Sequence, residues 1–145
     1  FVMEKKKCSF CDPEIIPTQT IFETENEYVF YNLSPKTKGQ CLVVPKRHVE
    51  NVRELSDREA ESLFRTVKIV SAKLNSHLSP QGFNYGFNEG AKAGQTVFHL
   101  HFHIMPRYDD DGVENFHVFH RRPEDKKFLT SEEIKPFISE FKALF

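Results

Sequence analysis

The sequence predicts an α+β domain: an antiparallel five-stranded sheet with one long helix and a C-terminal helix. Three observations carry that prediction. Residues 97–105 alternate histidine with bulky apolar side chains, the period-2 signature of a strand with two different faces. Ser56-Asp57-Arg58-Glu59 is a capping box that opens an apolar stripe at three- and four-residue spacing. Residues 21–44 carry short β-branched and aromatic runs separated by turn residues.

Taken in order, residues 8–17 with Cys8, Cys11, Asp12 and Pro13 read as an irregular knuckle. Strands follow at 21–24 and 28–32, flanking the turn-prone Glu25-Asn26-Glu27, and a loop over 34–39 leads into a third at 40–44. This order suits an antiparallel meander. The helix starts after Ser56, buries Ala60, Leu63, Phe64, Val67, Val70 and Leu74, and runs to about Leu78, where Pro80-Gln81-Gly82 breaks it. Residues 83–88 and 97–105 supply the last two strands. Between them, Gly90 and Gly94 suit either a phosphate cradle or a plain hairpin loop. After a polar stretch over 108–127, Thr130-Ser131-Glu132-Glu133 is a second capping box. It precedes a short helix with Ile134, Phe137, Ile138, Phe141 and Leu144 on one side.

The chain has 145 residues, 39% of them hydrophobic, with 15 Phe, which is enough to bury a core without disulfides. Phe1 and Val2 precede the first methionine and read as a vector remnant, so one domain is expected over 3–145. No apolar run approaches the roughly 20 residues that span a bilayer, and no signal-like segment opens the chain, so a cytoplasmic location without membrane contact is expected. A net charge of -1 argues against a long nucleic acid, whose backbone demands a broad basic surface. Small ligands remain. Three cysteines cannot all pair within one chain, and Cys8-x-x-Cys11 suits a metal or a redox pair. Cys41 lies in an apolar run and reads as a buried hydrophobe. His77 reads as a surface cap near the end of the long helix, and His117 and His120 as part of a solvated loop.

Strand geometry places His99, His101 and His103 on one face, with Phe98, Leu100, Phe102 and Ile104 on the other, the core face. Core packing gives no reason to set three imidazoles in register. Each has two nitrogens to satisfy and a charge that appears near neutral pH, so the row points to chemistry.

The row His99-Leu100-His101-Phe102-His103-Ile104-Met105 resembles the signature of the histidine triad superfamily. Asn88-Glu89-Gly90, Gly94-Gln95-Thr96-Val97, Pro106-Arg107 and the earlier Asn32-Leu33-Ser34-Pro35 and Leu42-Val43-Val44-Pro45-Lys46-Arg47-His48 match it too, so the resemblance covers nearly the whole chain. It implies a homodimer that acts on a small nucleotide. It also implies that His101 attacks an α-phosphate to form a covalent nucleotidyl-histidine, later discharged by water or another acceptor. By the same resemblance His103, Gln95, Asn88 and Thr96 surround the phosphoryl oxygens, and Asn32 meets ribose hydroxyls. Phe10, Ile16 and Leu33 form an apolar slot for the base, unless they are ordinary core. The implied activity is a nucleotide hydrolase that cleaves dinucleoside polyphosphates or nucleoside phosphoramidates, and Pro106-Arg107 leans toward the polyphosphates. A nucleotidyl transferase or phosphorylase, and a nucleotide-binding protein with slow turnover, are the alternatives. A metalloenzyme using all three histidines is a third, in which the Gly94-Gln95-Thr96-Val97 context would have no purpose.

Cys8 and Cys11 are a departure from many members and bring this chain closer to a zinc-bearing bacterial type. A comparable arrangement in the more distant galactose-1-phosphate uridylyltransferases implies a structural zinc on Cys8, Cys11, His48 and His99.

Overall fold

A computed structural model describes residues 8–114, 119 and 126–145. His117 and His120 lie outside the described residues. Five strands, β1 (Thr20–Glu23), β2 (Glu27–Tyr31), β3 (Cys41–Pro45), β4 (Gly82–Gly86) and β5 (Phe102–Arg107), form one sheet in the order β1-β2-β3-β5-β4. Every neighbouring pair is antiparallel. The first three strands are the predicted meander, and each strand lies within a residue or two of its expected place except the last.

The apolar run of β3 is explained by its position. It is flanked by β2 and β5, and all five of its residues are buried. Cys41 and Val43 face the helices, in a core with Phe102, Ile104, Val67 and Val70. Leu42 and Val44 face the other way, against Phe10 and Phe30. A strand covered on both faces reads as a continuous apolar run.

Helix α1 (Ile16–Gln19) is a single turn in the knuckle, too short for its periodicity to show in the sequence. Helix α2 (Asp57–Leu78) starts as predicted: the Ser56 hydroxyl accepts from the Glu59 amide at 3.1 Å, and the Glu59 carboxylate accepts from the Ser56 amide at 2.9 Å. It ends at Ser79, whose φ of 45° lies in the left-handed region that stops helices. Thr130 and Glu133 build the same box for α3 (Ser131–Lys142). Both helices pack on the Val43–Phe102 face of the sheet. The opposite face carries the knuckle. None of the helices among the described residues is long and apolar enough to cross a membrane.

The last strand departs from expectation. It begins at Phe102, while 97–99 form a bend and His99, Leu100 and His101 precede the ladder. The entry segment is pinned instead to the loop after β3: the Leu100 amide donates to the Val49 carbonyl at 2.7 Å. Phe98, expected in the core, is therefore 46% exposed, because no neighbouring strand covers it. Phe64, placed on the buried stripe by its spacing, is likewise 58% exposed.

Candidate active site

The two ends of the histidine row have different partners. His99 is buried, and its Nε2–H donates to the Pro45 carbonyl at 2.7 Å, which leaves Nδ1 as the lone-pair nitrogen. That nitrogen lies 3.4 Å from the sulfurs of both Cys8 and Cys11, and His48 Nδ1 lies 3.5 Å from Cys11 Sγ. The four ligand atoms fall within 4.8 Å of one another. A tetrahedral zinc with sulfur at ~2.3 Å and nitrogen at ~2.0–2.1 Å has S···N edges of about 3.6 Å. The donor set therefore fits a closed metal site, and these four residues could hold a metal ion. The bond to Pro45 is the outer support that a ligating histidine usually has. Burial, then His48 and His101, pushes His99 down to about 4, so its ring stays neutral and keeps its lone pair. Burial and the adjacent Cys8 push Cys11 up to about 11, a strain that a cation between the thiols would reverse. Neither His101 nor His103 joins this group, so a metal shared by all three histidines does not match the described residues.

His101 and His103 line a cavity of about 260 Å³ between the knuckle and the sheet, their ring centroids 5.1 Å apart. His101 Nδ1 lies 2.8 Å from the His99 carbonyl, which can only accept, so the neutral ring carries its proton on Nδ1 and its lone pair on Nε2. For His103 the constraint comes from Gln40. The Lys36 amide donates to Gln40 Oε1 at 2.8 Å, which fixes the side-chain amide with Nε2 toward His103 Nδ1, 3.3 Å away. That nitrogen accepts, so His103 holds its proton on Nε2. Burial is the main reason both rings are shifted toward the neutral form, His103 to about 3.

Gln40 was not singled out in the sequence. The signal was there: a lone amide at the head of an apolar strand, 3% exposed in the fold. Gly39 delivers it, with φ of 92° and no room for a Cβ, which would fall 2.5 Å from Leu78 Cδ1.

The other predicted residues are distributed as follows. Phe10 and Leu33 line the cavity, whereas Ile16 packs behind Phe10 and Ile15 takes the lining position, because the turn of α1 rotates it inward. Asn32 lines the cavity with its Oδ1 accepting from the Ser34 amide at 3.0 Å. Gln95 is buried; its Oε1 accepts from the Gly90 amide at 2.7 Å and its Nε2 gives one hydrogen to the Glu50 carbonyl at 3.2 Å. Asn88 donates to the Phe119 carbonyl at 3.1 Å, and Thr96 accepts from Lys126 at 3.1 Å.

In the glycine loop the amides of residues 90, 93, 94 and 95 are spent on bonds within the loop, as in a plain loop. Arg107 is also away from the cavity, four residues or about 13 Å along β5 from His103. There it bonds Asp111, Asn84 and the Val113 carbonyl. The clue drawn from Pro106-Arg107 is thus a structural ion pair.

The model of the HIT domain family aligns with residues 14–110, the span that holds the sheet and the histidine pair. Protein hit of Bacillus subtilis is 38% identical over 140 residues, covering 92% of this chain and 97% of that protein. The bis(5'-adenosyl)-triphosphatase of Dictyostelium discoideum is 31% identical, with 88% and 86% covered. A crystal structure of a HIT family member from Bacillus subtilis superposes with a TM-score of 0.69 at 35% identity, covering 95% of this chain and 96% of that one. The chain belongs to the HIT domain family.

Proposed function

We propose that this HIT-family protein is a cytoplasmic nucleotide hydrolase that cleaves dinucleoside polyphosphates or nucleoside phosphoramidates through a nucleotidyl-histidine intermediate. The observation that carries the reading is the 2.8 Å contact of His101 Nδ1 with the His99 carbonyl, which leaves a lone pair on Nε2 of a ring that lines the cavity. The relative named as a bis(5'-adenosyl)-triphosphatase supports the substrate class. In the first step His101 Nε2 bonds the α-phosphorus, and the bond to the leaving group breaks with its electron pair going to the departing oxygen or nitrogen. In the second step water attacks the same phosphorus, the P–N bond breaks and the nucleoside monophosphate leaves. Splitting the displacement makes each step easier than one direct attack by water.

His103 offers an N–H, and Gln95 and Asn88 each keep a second amide hydrogen for phosphoryl oxygens. Donors held in place beforehand stabilise developing charge best. Thr96 completes that group, Asn32 serves the ribose, and Phe10 and Leu33 serve the base. We assign a structural zinc to Cys8, Cys11, His48 and His99; it would tie the knuckle to the segment that carries His101. The oligomer is a homodimer formed through an aromatic patch in which Phe64, Tyr85 and Phe87, each at least 37% exposed, surround Phe102. A monomer seldom leaves so contiguous an apolar patch in water.

The test is intact-protein mass spectrometry after brief, acid-free quenching with diadenosine tetraphosphate. A transient AMP adduct present in the wild type and lost in His101→Ala is the expected result. Absence of both adduct and released AMP would overturn the polyphosphate reading.

A further inference from the structure

The cavity's described lining contains no aspartate or glutamate, yet Lys36 and Lys126 both line it. Lys126 lies beyond the 14–110 span that the family model matches. It sits in the stretch that leads into α3, and its Nζ donates to the Thr96 hydroxyl at 3.1 Å.

Two described residues to either side of Lys126 are anchored. Three residues on, the Leu129 amide donates to the Leu33 carbonyl at 2.8 Å, beside the apolar end of the cavity. Upstream, the Phe119 ring stacks on His103 with centroids 5.0 Å apart and planes at 28°. Gly86 makes room for that ring, since a Cβ there would come within 2.8 Å of it. The ammonium of Lys126 is thus held at the rim, next to the histidine pair, against a neutral hydroxyl. A phosphate is a stronger partner for it, because both donor and acceptor then carry charge.

We propose that Lys126 binds the anionic leaving group beyond the scissile phosphate, and so selects polyphosphate substrates over phosphoramidates. The inference rests on the histidine-nucleophile reading above. When a polyphosphate is cleaved, the P–O electron pair departs on an oxygen of a phosphate chain, and a fixed cation stabilises that growing charge. When a phosphoramidate is cleaved, the P–N pair departs on an amine that must take up a proton. A fixed cation gives no comparable help there.

The test compares kcat/KM for diadenosine triphosphate and adenosine 5'-phosphoramidate in wild type, Lys126→Ala and Lys126→Arg. The ratio of the two should fall about tenfold in Lys126→Ala, equivalent to about 1.4 kcal/mol, and recover in Lys126→Arg. An unchanged ratio, or an equal loss on both substrates, would overturn the proposal. Dissociation constants for ATP and AMP provide a second measurement that needs no turnover. ATP binding should weaken about tenfold relative to AMP in Lys126→Ala, and an unchanged ratio would also overturn the assignment. If the wild type cleaves neither substrate, the nucleophile reading fails, and the ATP to AMP ratio alone decides the role of Lys126.

Discussion

His101 and His103 stand 5.1 Å apart and, in their neutral forms, carry their protons on opposite nitrogens. The His99 carbonyl holds the first proton on Nδ1, and Gln40 holds the second on Nε2. Two identical side chains in one cavity are thereby made different, one with a lone pair on Nε2 and the other with a donor there.

Gln40 is a positioning residue in this scheme. Replacing it with Leu should release the His103 tautomer and lower kcat/KM for diadenosine triphosphate about a hundredfold, within the usual range for a misplaced proton donor. The discriminating readout is the ¹⁵N shifts of the His103 ring, which should move toward a tautomer mixture. Unchanged shifts would sink the assignment even if activity fell.

The Cys8, Cys11, His48 and His99 set should carry one zinc per chain, measured by elemental mass spectrometry. Metal bound only by the folded state adds to stability, so chelation should lower Tm by roughly 10 °C. Cys8→Ser should lose most of the metal. A protein prepared with zinc that retains none, and whose Tm ignores the chelator, would refute the site.

The aromatic patch around Phe102 predicts an oligomer sensitive to charge. Tyr85→Asp places a carboxylate where the patch would be buried, and should convert the dimer to a monomer by light scattering. Tyr85 is 45% exposed in the single chain, so its substitution should change monomer stability little. A wild type that is monomeric at high concentration would rule the interface out.

Arg107 holds the Asp111 carboxyl well below its ordinary range, from 2.7 Å, and the Tyr108 and Val113 amides donate to it as well. A carboxylate with a depressed pKa contributes stability that is fully present above its unfolded value of about 3.9 and is lost as pH falls through the lower folded value. Asp111→Asn should therefore lower Tm by about 5 °C at pH 7. The gap to wild type should hold down to about pH 5 and close at lower pH. A gap independent of pH would show that the ion pair is not its source.

Much of this was legible in local pattern. The capping boxes at Ser56 and Thr130 are read within four residues, and both helices begin where they say. The doubly covered run of β3 and the meander before it follow from composition and turn residues. Where alternation failed, it was at 97–101, because a periodic pattern does not report whether a neighbouring strand is present to pair with it.

By itself the sequence determined the class of fold, the first four strands and the two longer helices, while the grouping of Cys8 and Cys11 with His48 and His99 came from a resemblance. Tertiary structure alone completed and corrected the set of residues that share the cavity. It brought in Gln40 and Lys126, exchanged Ile16 for Ile15, and sent Arg107 to the far end of β5. The physical reason is range. Capping and periodicity are interactions between near neighbours in the chain, whereas Lys126 meets Thr96 and Gln40 meets His103 only after the sheet has closed between them.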